Sequence, residues 1–353
     1  MFENKEKTPL DQIGEFKLIN HLTEPFKTTH KSTIIGIGDD AAVLNTDKHI
    51  VMSSDLMVEG THFDLMYTPL KHLGYKAVVV NMSDILAMNA KPSHMMVSMA
   101  ISSKYTLEAV EELYAGILTA CEKYNIDLIG GDTSSSPKGL FISITMVGQI
   151  DDPKNLVTRA GAKEGDLICV SGDLGGAYAG LQMLEREKRV FLEQPEMQPD
   201  LEGYDYVIGR QLRPEARVDL IELLDELEIV PTSMIDVSDG IASETFHICK
   251  ASKVGAKIYE EKIPIDTTTY NTARDLHMDP TLYALNGGED YELLFTLKQA
   301  EYDKIKNSLD ISIIGYCCEE HEGLSMISKS GNVHELQAQG WNAFGDQPTD
   351  TAE

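Results

Sequence analysis

The chain has 353 residues, of which 42% are hydrophobic, 25% charged and 7% aromatic. This composition is that of a folded protein with a sizeable core, and the length predicts two domains. Asp and Glu number 57 against 30 Lys and Arg, so the formal net charge is −27. A negative field of this size argues against nucleic acid and membrane surfaces as partners. It also requires a cation, most simply Mg²⁺, wherever a phosphorylated ligand binds.

The cysteines and the N-terminus predict a cytoplasmic protein. The five cysteines are odd in number, scattered and without a CxxC spacing, which argues against a disulfide framework or a zinc site. They are Cys121, Cys169, Cys249, Cys317 and Cys318. The first residues, MFENKEKTPLDQIGEF, contain no apolar signal region.

The predicted elements alternate between helices and strands. In chain order they are a helix at 10–22, strands at 32–37, 41–44 and 49–54, a helix at 70–88, a strand at 95–101, a helix at 107–124, strands at 126–129 and 140–149, a strand at 166–170, a helix at 175–186 and a strand at 291–297. This alternation is typical of an α/β or α+β protein. The polar stretch at 151–165 separates a domain at 1–150 from one at 151–345, and residues 346–353 form a loose tail.

A local pattern recurs along the chain, in which a short strand runs into glycine, serine and aspartate. The instances are GIGDD (36–40), SSD (53–55), GGD (130–132), DVSDG (236–240) and GGED (287–290), and NMSD (81–84) adds an acid inside the long helix. Each alone is most simply a turn. Together, aspartates at several strand ends can meet at one sheet edge, where Mg²⁺ would relieve their repulsion and bridge to a nucleotide.

Several known motifs do not fit. Residues 36–41 match the permissive dinucleotide fingerprint, but an extended run follows where that motif must open a helix. The DVSDG stretch resembles the start of a calcium loop, yet His247 stands at the twelfth position, where glutamate is required. The stretch SGDLGG (171–176) is compatible with phosphate binding at a helix N-terminus or with a plain strand–helix turn.

Seven blocks in order make the sequence resemble the thiamine-monophosphate kinase family of the aminoimidazole ribonucleotide synthetase superfamily. They are GIGDDAAVL (36–44), SSDLMVEGTHF (53–63), NMSDILAM (81–88), LIGGDT (128–133), TRAGAKEGD (158–166), IDVSDG (235–240) and GGEDYEL (287–293). The resemblance implies a two-domain fold with mixed sheets flanked by helices, whose N-terminal domain pairs in a homodimer. It also implies direct Mg²⁺-assisted phosphoryl transfer from ATP to thiamine monophosphate, without a protein nucleophile.

The resemblance further implies roles for individual residues. Metal-ligating positions are Asp40, Ser53, Ser54, Asp55, Asp84, Asp132, Asp236 and Asp239. ATP-binding positions are Asp40, Tyr114, Gly131, Asp132, Arg159 and Ser238. Substrate-binding positions are His62, Glu289 and Trp341.

Some of these residues also have simpler interpretations. Tyr114 sits at core spacing in an amphipathic helix, and Arg159 would otherwise be a solvated linker residue. His62 would be a half-buried histidine, and Trp341 a packing anchor for the tail. Ala343 stands where the family usually has histidine, which leaves the role of that position open.

Two other functions remain open at this stage. One is another ATP-using enzyme of the same superfamily, because its members share acidic metal sites. A selenophosphate synthetase would need a reactive cysteine near the N-terminus, whereas the first cysteine here is Cys121. The other is a non-catalytic acidic protein that binds metal or nucleotide.

Overall fold

The computed structural model describes residues 18, 21–35, 37 and 43–336. Most of the predicted first helix lies outside these residues. The predictions for Asp40, Trp341 and Ala343 lie wholly outside them. Among the described helices, none is long and apolar enough to cross a membrane.

The described strands form one pair and two larger sheets, in agreement with the expected mixed α/β class. The strands are β1 (Thr33–Ile35), β2 (Val43–Leu44), β3 (His49–Val58), β4 (Lys91–Ser102), β5 (Asp127–Ser136), β6 (Leu140–Ile150), β7 (Leu167–Ser171), β8 (Ser233–Asp236), β9 (Gly255–Tyr259), β10 (Leu293–Leu297), β11 (Ile311–Cys318), β12 (Leu324–Ile327) and β13 (Val333–Glu335). β1 pairs with β2, the four-stranded sheet has the order β3-β6-β4-β5, and the seven-stranded sheet has the order β13-β12-β9-β11-β7-β10-β8. Both larger sheets are mixed, with parallel pairs at β4–β5 and β9–β12.

Helices cover these sheets and connect their strands. They are α1 (Leu70–Ala87), α2 (Leu107–Tyr124), α3 (Gly176–Glu193), α4 (Asp205–Leu212), α5 (Val218–Glu226), α6 (Ile241–Ser252), α7 (Thr267–Asp275), α8 (Pro280–Asn286) and α9 (Tyr302–Ile305). The bounds of α1 and α2 agree with the predicted helices to within one residue. α3 continues to Glu193, seven residues beyond its predicted end.

α1 occupies the centre of the molecule, between the four-stranded sheet and β8 of the seven-stranded sheet. Its sequence, LKHLGYKAVVVNMSDILA, is largely apolar on every side, which is typical of a helix buried all round rather than of a surface helix. Thirteen of its residues are buried. A polar residue on α1 therefore faces other protein groups or an internal cleft.

The core runs continuously from one sheet to the other. The larger apolar cluster contains the inner face of the four-stranded sheet, α1, α2 and one face of the seven-stranded sheet, including Met234 and Phe295. A second cluster covers the opposite face, with Ile235 and Leu294. The alternation along β8 and β10 follows the two-residue period of a strand, and because both faces are covered, both strands are buried throughout.

Two of the acidic motifs do not lie at strand ends as the pattern predicted. β3 continues three residues past Asp55, and β5 continues four residues past Asp132. Serine, glycine and aspartate are tolerated there because β3 and β5 are the two edge strands of their sheet. Their side chains therefore alternate between the two faces of the sheet, and in the described part of the chain helices cover only one of these faces.

Candidate active site

A cleft of about 970 Å³ opens between the two halves of the molecule. One wall consists of β3, the following loop at 60–64 and α1, and the other of α3, the end of α4 and the loops after β8 and α8. Seven of the residues implied by the family resemblance line it. These are Asp55, His62, Asp84, Asp236, Ser238, Asp239 and Glu289.

Three aspartates from separate parts of the chain meet in this cleft. Asp55 comes from β3, Asp84 from α1 and Asp236 from the end of β8. The Asp55 and Asp84 side chains lie within hydrogen-bonding range, and burial together with the Asp84 charge raises the pKa of Asp55. Burial also raises the pKa of Asp236, and the charges of Asp84 and Asp55 act in the same direction. The three carboxylates thus repel one another and favour a bound cation or proton.

The NMSD segment positions two of its side chains by their helical spacing. Asn81 and Asp84 are three residues apart, so both face β3. The Asn81 side-chain oxygen accepts a hydrogen bond from the Asp55 backbone N–H (2.9 Å), and its amide donates to the Ala77 carbonyl (3.0 Å). The Ser53 hydroxyl donates to the Asp84 carboxylate. These bonds fix Asp55 and Asp84 on facing elements before any ligand is bound.

The IDVSDG and GGED segments pack directly against each other. The Glu289 N–H donates to the Ser238 carbonyl (2.7 Å), and the Tyr291 N–H donates to the Val237 carbonyl (3.0 Å). Gly288 has φ +70°, and a Cβ atom there would lie 2.3 Å from the Ser238 oxygen. The glycine is therefore required by the close approach of the two backbones. This contact places Asp239 and Glu289 on the same wall of the cleft.

Buried carboxylates continue beneath the DVSDG segment. Glu244, on α6, is 2% exposed and accepts a hydrogen bond from the Asp239 N–H (3.0 Å). Burial raises the pKa of Glu244 to about 8 and also raises the pKa of Asp239. Arg159 is exposed at the rim, where its charge partly offsets these effects on Asp236 and Glu244. Sequence reasoning did not identify Glu244, since no strand end or glycine marks it.

Ser54, Asp132 and Tyr114, three of the other implied site residues, do not line the cleft of this single chain. Ser54 lies on the opposite face of β3 from Asp55, and its hydroxyl oxygen is 3.1 Å from the Thr145 hydroxyl oxygen, within hydrogen-bonding distance. Asp132 is exposed on the same outer face, where it pairs in register with Ser98. Tyr114 is buried in the core on α2, packed edge-on against Phe26.

Gly131 also lies away from the cleft, and its structure gives a direct reason for a glycine. It is on β5, and a Cβ atom at this position would lie 1.9 Å from the Val97 carbonyl oxygen. The close approach of the parallel strands β4 and β5 therefore accounts for the residue without a ligand.

The turn at 171–176 is occupied by a side chain of the protein itself. The Asp290 carboxylate accepts hydrogen bonds from the N–H groups of Gly175 (2.7 Å) and Ala177 (3.2 Å) at the start of α3. A carboxylate at a helix N-terminus is stabilised by the exposed N–H groups and the helix dipole. Of the two interpretations left open from the sequence, the plain strand–helix turn is the one observed.

Several cleft residues could not be identified from the sequence motifs. Lys76 and Gln211 both contact Glu289. A second group of polar residues lies at the opposite rim of the cleft. There the Lys188 ammonium pairs with Asp64 (2.7 Å), and the Tyr67 hydroxyl donates to Glu185 (2.7 Å). A single lysine in the apolar run GYKAVVV was the one available signal for Lys76.

The residues present fit Mg²⁺ bound together with a phosphorylated ligand. Within the part of the chain that the structure describes, no three acidic, histidine or cysteine side chains are placed so that they could hold a metal ion by themselves. Mg²⁺ usually binds through one or two carboxylates, with phosphate oxygens and water completing its octahedral shell. The neighbouring carboxylates of Asp55 and Asp84 would supply that part of the shell, and Asp236 lines the same cleft.

Comparisons with known proteins agree on one family. The model of the AIR synthase related protein N-terminal domain matches residues 38–150. The thiamine-monophosphate kinase of Bacillus subtilis is 37% identical over 340 residues, covering 94% of this chain and 100% of that protein. A solved structure described as AaThiL complexed with AMPPCP and TMP is 32% identical, with TM-score 0.72, over 95% of this chain and 98% of the other. The hydrogenase maturation protein HypE in complex with ATP, at 18% identity and TM-score 0.73 over 94% of this chain and 98% of that one, shares the fold.

Proposed function

Since the chain belongs to the thiamine-monophosphate kinase family, we propose that its cleft transfers the γ-phosphoryl group of ATP to thiamine monophosphate. The relative in complex with AMPPCP and TMP supports ATP as the co-substrate and thiamine monophosphate as the acceptor. The observation that carries the proposal for this chain is the meeting of Asp55, Asp84 and Asp236 in one cleft between the two halves. Phosphoryl transfer depends mainly on positioning and charge neutralisation, which such a cluster provides through bound cations.

The proposed metal is Mg²⁺, held by Asp55, Asp84 and Asp236, with Asp239 and Ser53 at the edge of the cluster. Bound Mg²⁺ neutralises phosphate charge and orients phosphate oxygens, which the net charge of −27 otherwise repels. The Ser53 hydroxyl and Asn81 amide keep the carboxylates on facing elements while the ligands enter.

The two ends of the cleft are proposed to bind different ligands. Arg159 and Ser238 lie on the side of Asp236 and Asp239, where a cation and a hydroxyl would contact ATP phosphates. His62 and Glu289 line the cleft beyond the aspartates, where they would contact thiamine monophosphate, together with Trp341 from the C-terminal segment. Transfer is proposed to be direct, because burial raises the pKa of all five thiols and leaves them poor nucleophiles.

We also propose a homodimer formed through the outer face of the four-stranded sheet. That face and the adjoining β1 region expose large apolar side chains, a pattern typical of interaction surfaces. They are Ile34 (59% exposed), Ile35 (41%), Ile50 (39%), Met52 (61%) and Leu56 (53%). Pairing through this face would cover Ser54 and Asp132, which are implied ligands that lie outside the cleft of the single chain.

Two further proposals concern organisation and location. The strands of the four-stranded sheet end at Ile150 and those of the seven-stranded sheet begin at Leu167, which supports domains at 1–150 and 151–345. A cytoplasmic location is supported by five reduced cysteines, all buried and none in a disulfide.

The test is an acceptor assay with purified protein, ATP and Mg²⁺, with products separated by chromatography. The proposal predicts that thiamine monophosphate is converted to thiamine diphosphate in proportion to the ADP formed. Consumption of ATP with another acceptor, while thiamine monophosphate stays unchanged, would instead indicate another enzyme of the superfamily. Binding of Mg²⁺ and ATP without turnover of any acceptor would indicate a non-catalytic protein.

A further inference from the structure

A buried lysine lies at the centre of the cleft, in a helix that is otherwise almost free of charge at this depth. Lys76 projects from α1, and its side chain is only 4% exposed. Its ammonium group pairs with the Glu289 carboxylate (3.0 Å) and donates a hydrogen bond to the Gln211 carbonyl (2.9 Å). Burying a lysine is costly unless its ammonium group is paired and hydrogen-bonded, and these two contacts meet that requirement.

Glu289 is held from two sides. Its Oε1 atom faces Lys76, and its Oε2 atom accepts a hydrogen bond from the Gln211 side-chain amide (2.7 Å). Its backbone is also constrained, with φ +57° in the left-handed region and its N–H bonded to Ser238. We name Lys76, Gln211 and Glu289 the carboxylate clamp. The clamp joins α1 of the first half to α4 and the α8–β10 loop of the second half.

The clamp determines what Glu289 can bind. The Lys76 ammonium group balances the charge of the Glu289 carboxylate. The carboxylate therefore acts toward a ligand as a hydrogen-bond acceptor of fixed direction and not mainly as a counter-ion. Glu289 keeps 30% side-chain exposure toward the cleft, whereas Lys76 is almost fully covered. A ligand therefore reaches the glutamate and not the lysine. An acceptor with this fixed direction suits an N–H donor such as an exocyclic amine on a flat heteroaromatic ring.

We propose that Lys76 is a positioning residue, which acts through Glu289 to orient the amine-bearing ring of the phosphate acceptor. The inference rests on the proposed function, because it assigns this end of the cleft to thiamine monophosphate. Without Lys76, the Glu289 side chain loses its partner on Oε1 and turns among several orientations. The acceptor then binds less tightly, while the ATP side of the cleft, around Asp236 and Asp239, keeps its geometry.

The experiment compares Lys76→Met with the matched control Lys71→Met, an exposed lysine on the same helix. Steady-state kinetics give kcat and both Michaelis constants for each variant, and melting curves monitor folding. Lys76→Met is expected to raise the KM for thiamine monophosphate about tenfold, the usual effect of losing a hydrogen bond to a charged group. The KM for ATP should stay within about twofold of the control.

A double-mutant cycle with Glu289→Gln tests whether Lys76 acts through the glutamate. The variant carrying both changes should have a KM for thiamine monophosphate no higher than that of Glu289→Gln alone. If the two substitutions raise the KM for thiamine monophosphate by factors that multiply in the double variant, the inference is overturned. It is also overturned if Lys76→Met leaves that KM unchanged, or if Lys76→Met lowers kcat and raises the KM for ATP. If Lys76→Met does not fold, Lys76→Gln removes the charge but keeps a polar side chain, and it must show the same selective rise in the KM for thiamine monophosphate.

The same measurements separate failure of the inference from failure of the proposed function. Wild-type protein that does not phosphorylate thiamine monophosphate would contradict the proposed function. Wild-type protein that does so, while Lys76→Met matches Lys71→Met, would contradict the inference alone.

Discussion

Replacement of Asp84 by asparagine is expected to make the metal-free protein more stable and the enzyme much less active. After burial, the charge of Asp84 is the next largest cause that raises the pKa of both Asp55 and Asp236. At an effective dielectric constant of about 20, two unit charges about 4 Å apart repel by about 4 kcal/mol. Partial protonation of the cluster reduces this repulsion, so we expect a gain of about 1 kcal/mol in the free energy of unfolding, or about 1–2 °C in melting temperature.

The same substitution removes one of the three charges proposed to hold Mg²⁺. Asparagine still accepts the Ser53 hydrogen bond through its side-chain oxygen, so the local structure should persist. Losing one electrostatic group at a site of phosphoryl transfer costs about 100-fold or more in kcat. Excess Mg²⁺ should restore part of the activity.

The assay pairs melting curves in EDTA and in Mg²⁺ with kcat measured over a Mg²⁺ titration. Asp225→Asn, a change to an exposed aspartate on α5, is the control and should alter neither quantity. If Asp84→Asn has a lower melting temperature than the wild type in EDTA and also loses activity, Asp84 stabilises the fold and the loss of activity is not evidence for metal binding. One that keeps full activity at low Mg²⁺ would remove Asp84 from the metal site.

Three further predictions concern pH, assembly and the C-terminal segment. Burial raises the pKa of Asp236 to about 7 and that of Glu244 to about 8, so the folded state binds more protons than the unfolded state. Metal-free protein should therefore lose about 1–2 kcal/mol of stability between pH 7 and pH 8.5, and Mg²⁺ should remove most of that loss; a rise in stability over this range would contradict the cluster. Sedimentation at micromolar concentration should give twice the 39.0 kDa chain mass, and a 39.0 kDa species would contradict the dimer. Trp341→Ala should raise the KM for thiamine monophosphate about tenfold through loss of a cation–π contact, whereas equal losses for both substrates with a lower melting temperature would indicate a packing anchor.

The sequence predicted the elements that position the site better than it predicted the site contacts. The α1 and α2 helices and the β4 and β6 strands follow from long apolar patterns, which have few alternative structures. The strands β3 and β5 extend past their predicted ends because serine, glycine and aspartate are tolerated on edge strands. The side chains of a strand alternate between the two faces of its sheet. Asp132 consequently lies on the outer, exposed face of the four-stranded sheet.

The meeting of Asp55, Asp84 and Asp236 was predictable only as a hypothesis, because contacts among β3, α1 and β8 depend on how two sheets pack. The carboxylate clamp was not predictable. Lys76 in an apolar helix gives no indication of its partner, and Gln211 lies 135 residues away from it. Glu244 gives no signal either, since a glutamate in the first turn of a helix is ordinarily a solvated residue.

The most direct test is a crystal structure of the protein with a non-hydrolysable ATP analogue, thiamine monophosphate and Mn²⁺ in place of Mg²⁺. Anomalous scattering locates the manganese ions independently of the rest of the map. We predict peaks at bonding distance, about 2.0–2.2 Å for such small hard cations, from the carboxylates of Asp55, Asp84 and Asp236, bridging to the phosphates of the analogue. Manganese bound at other carboxylates only, with the nucleotide phosphates outside this cleft, would contradict the account.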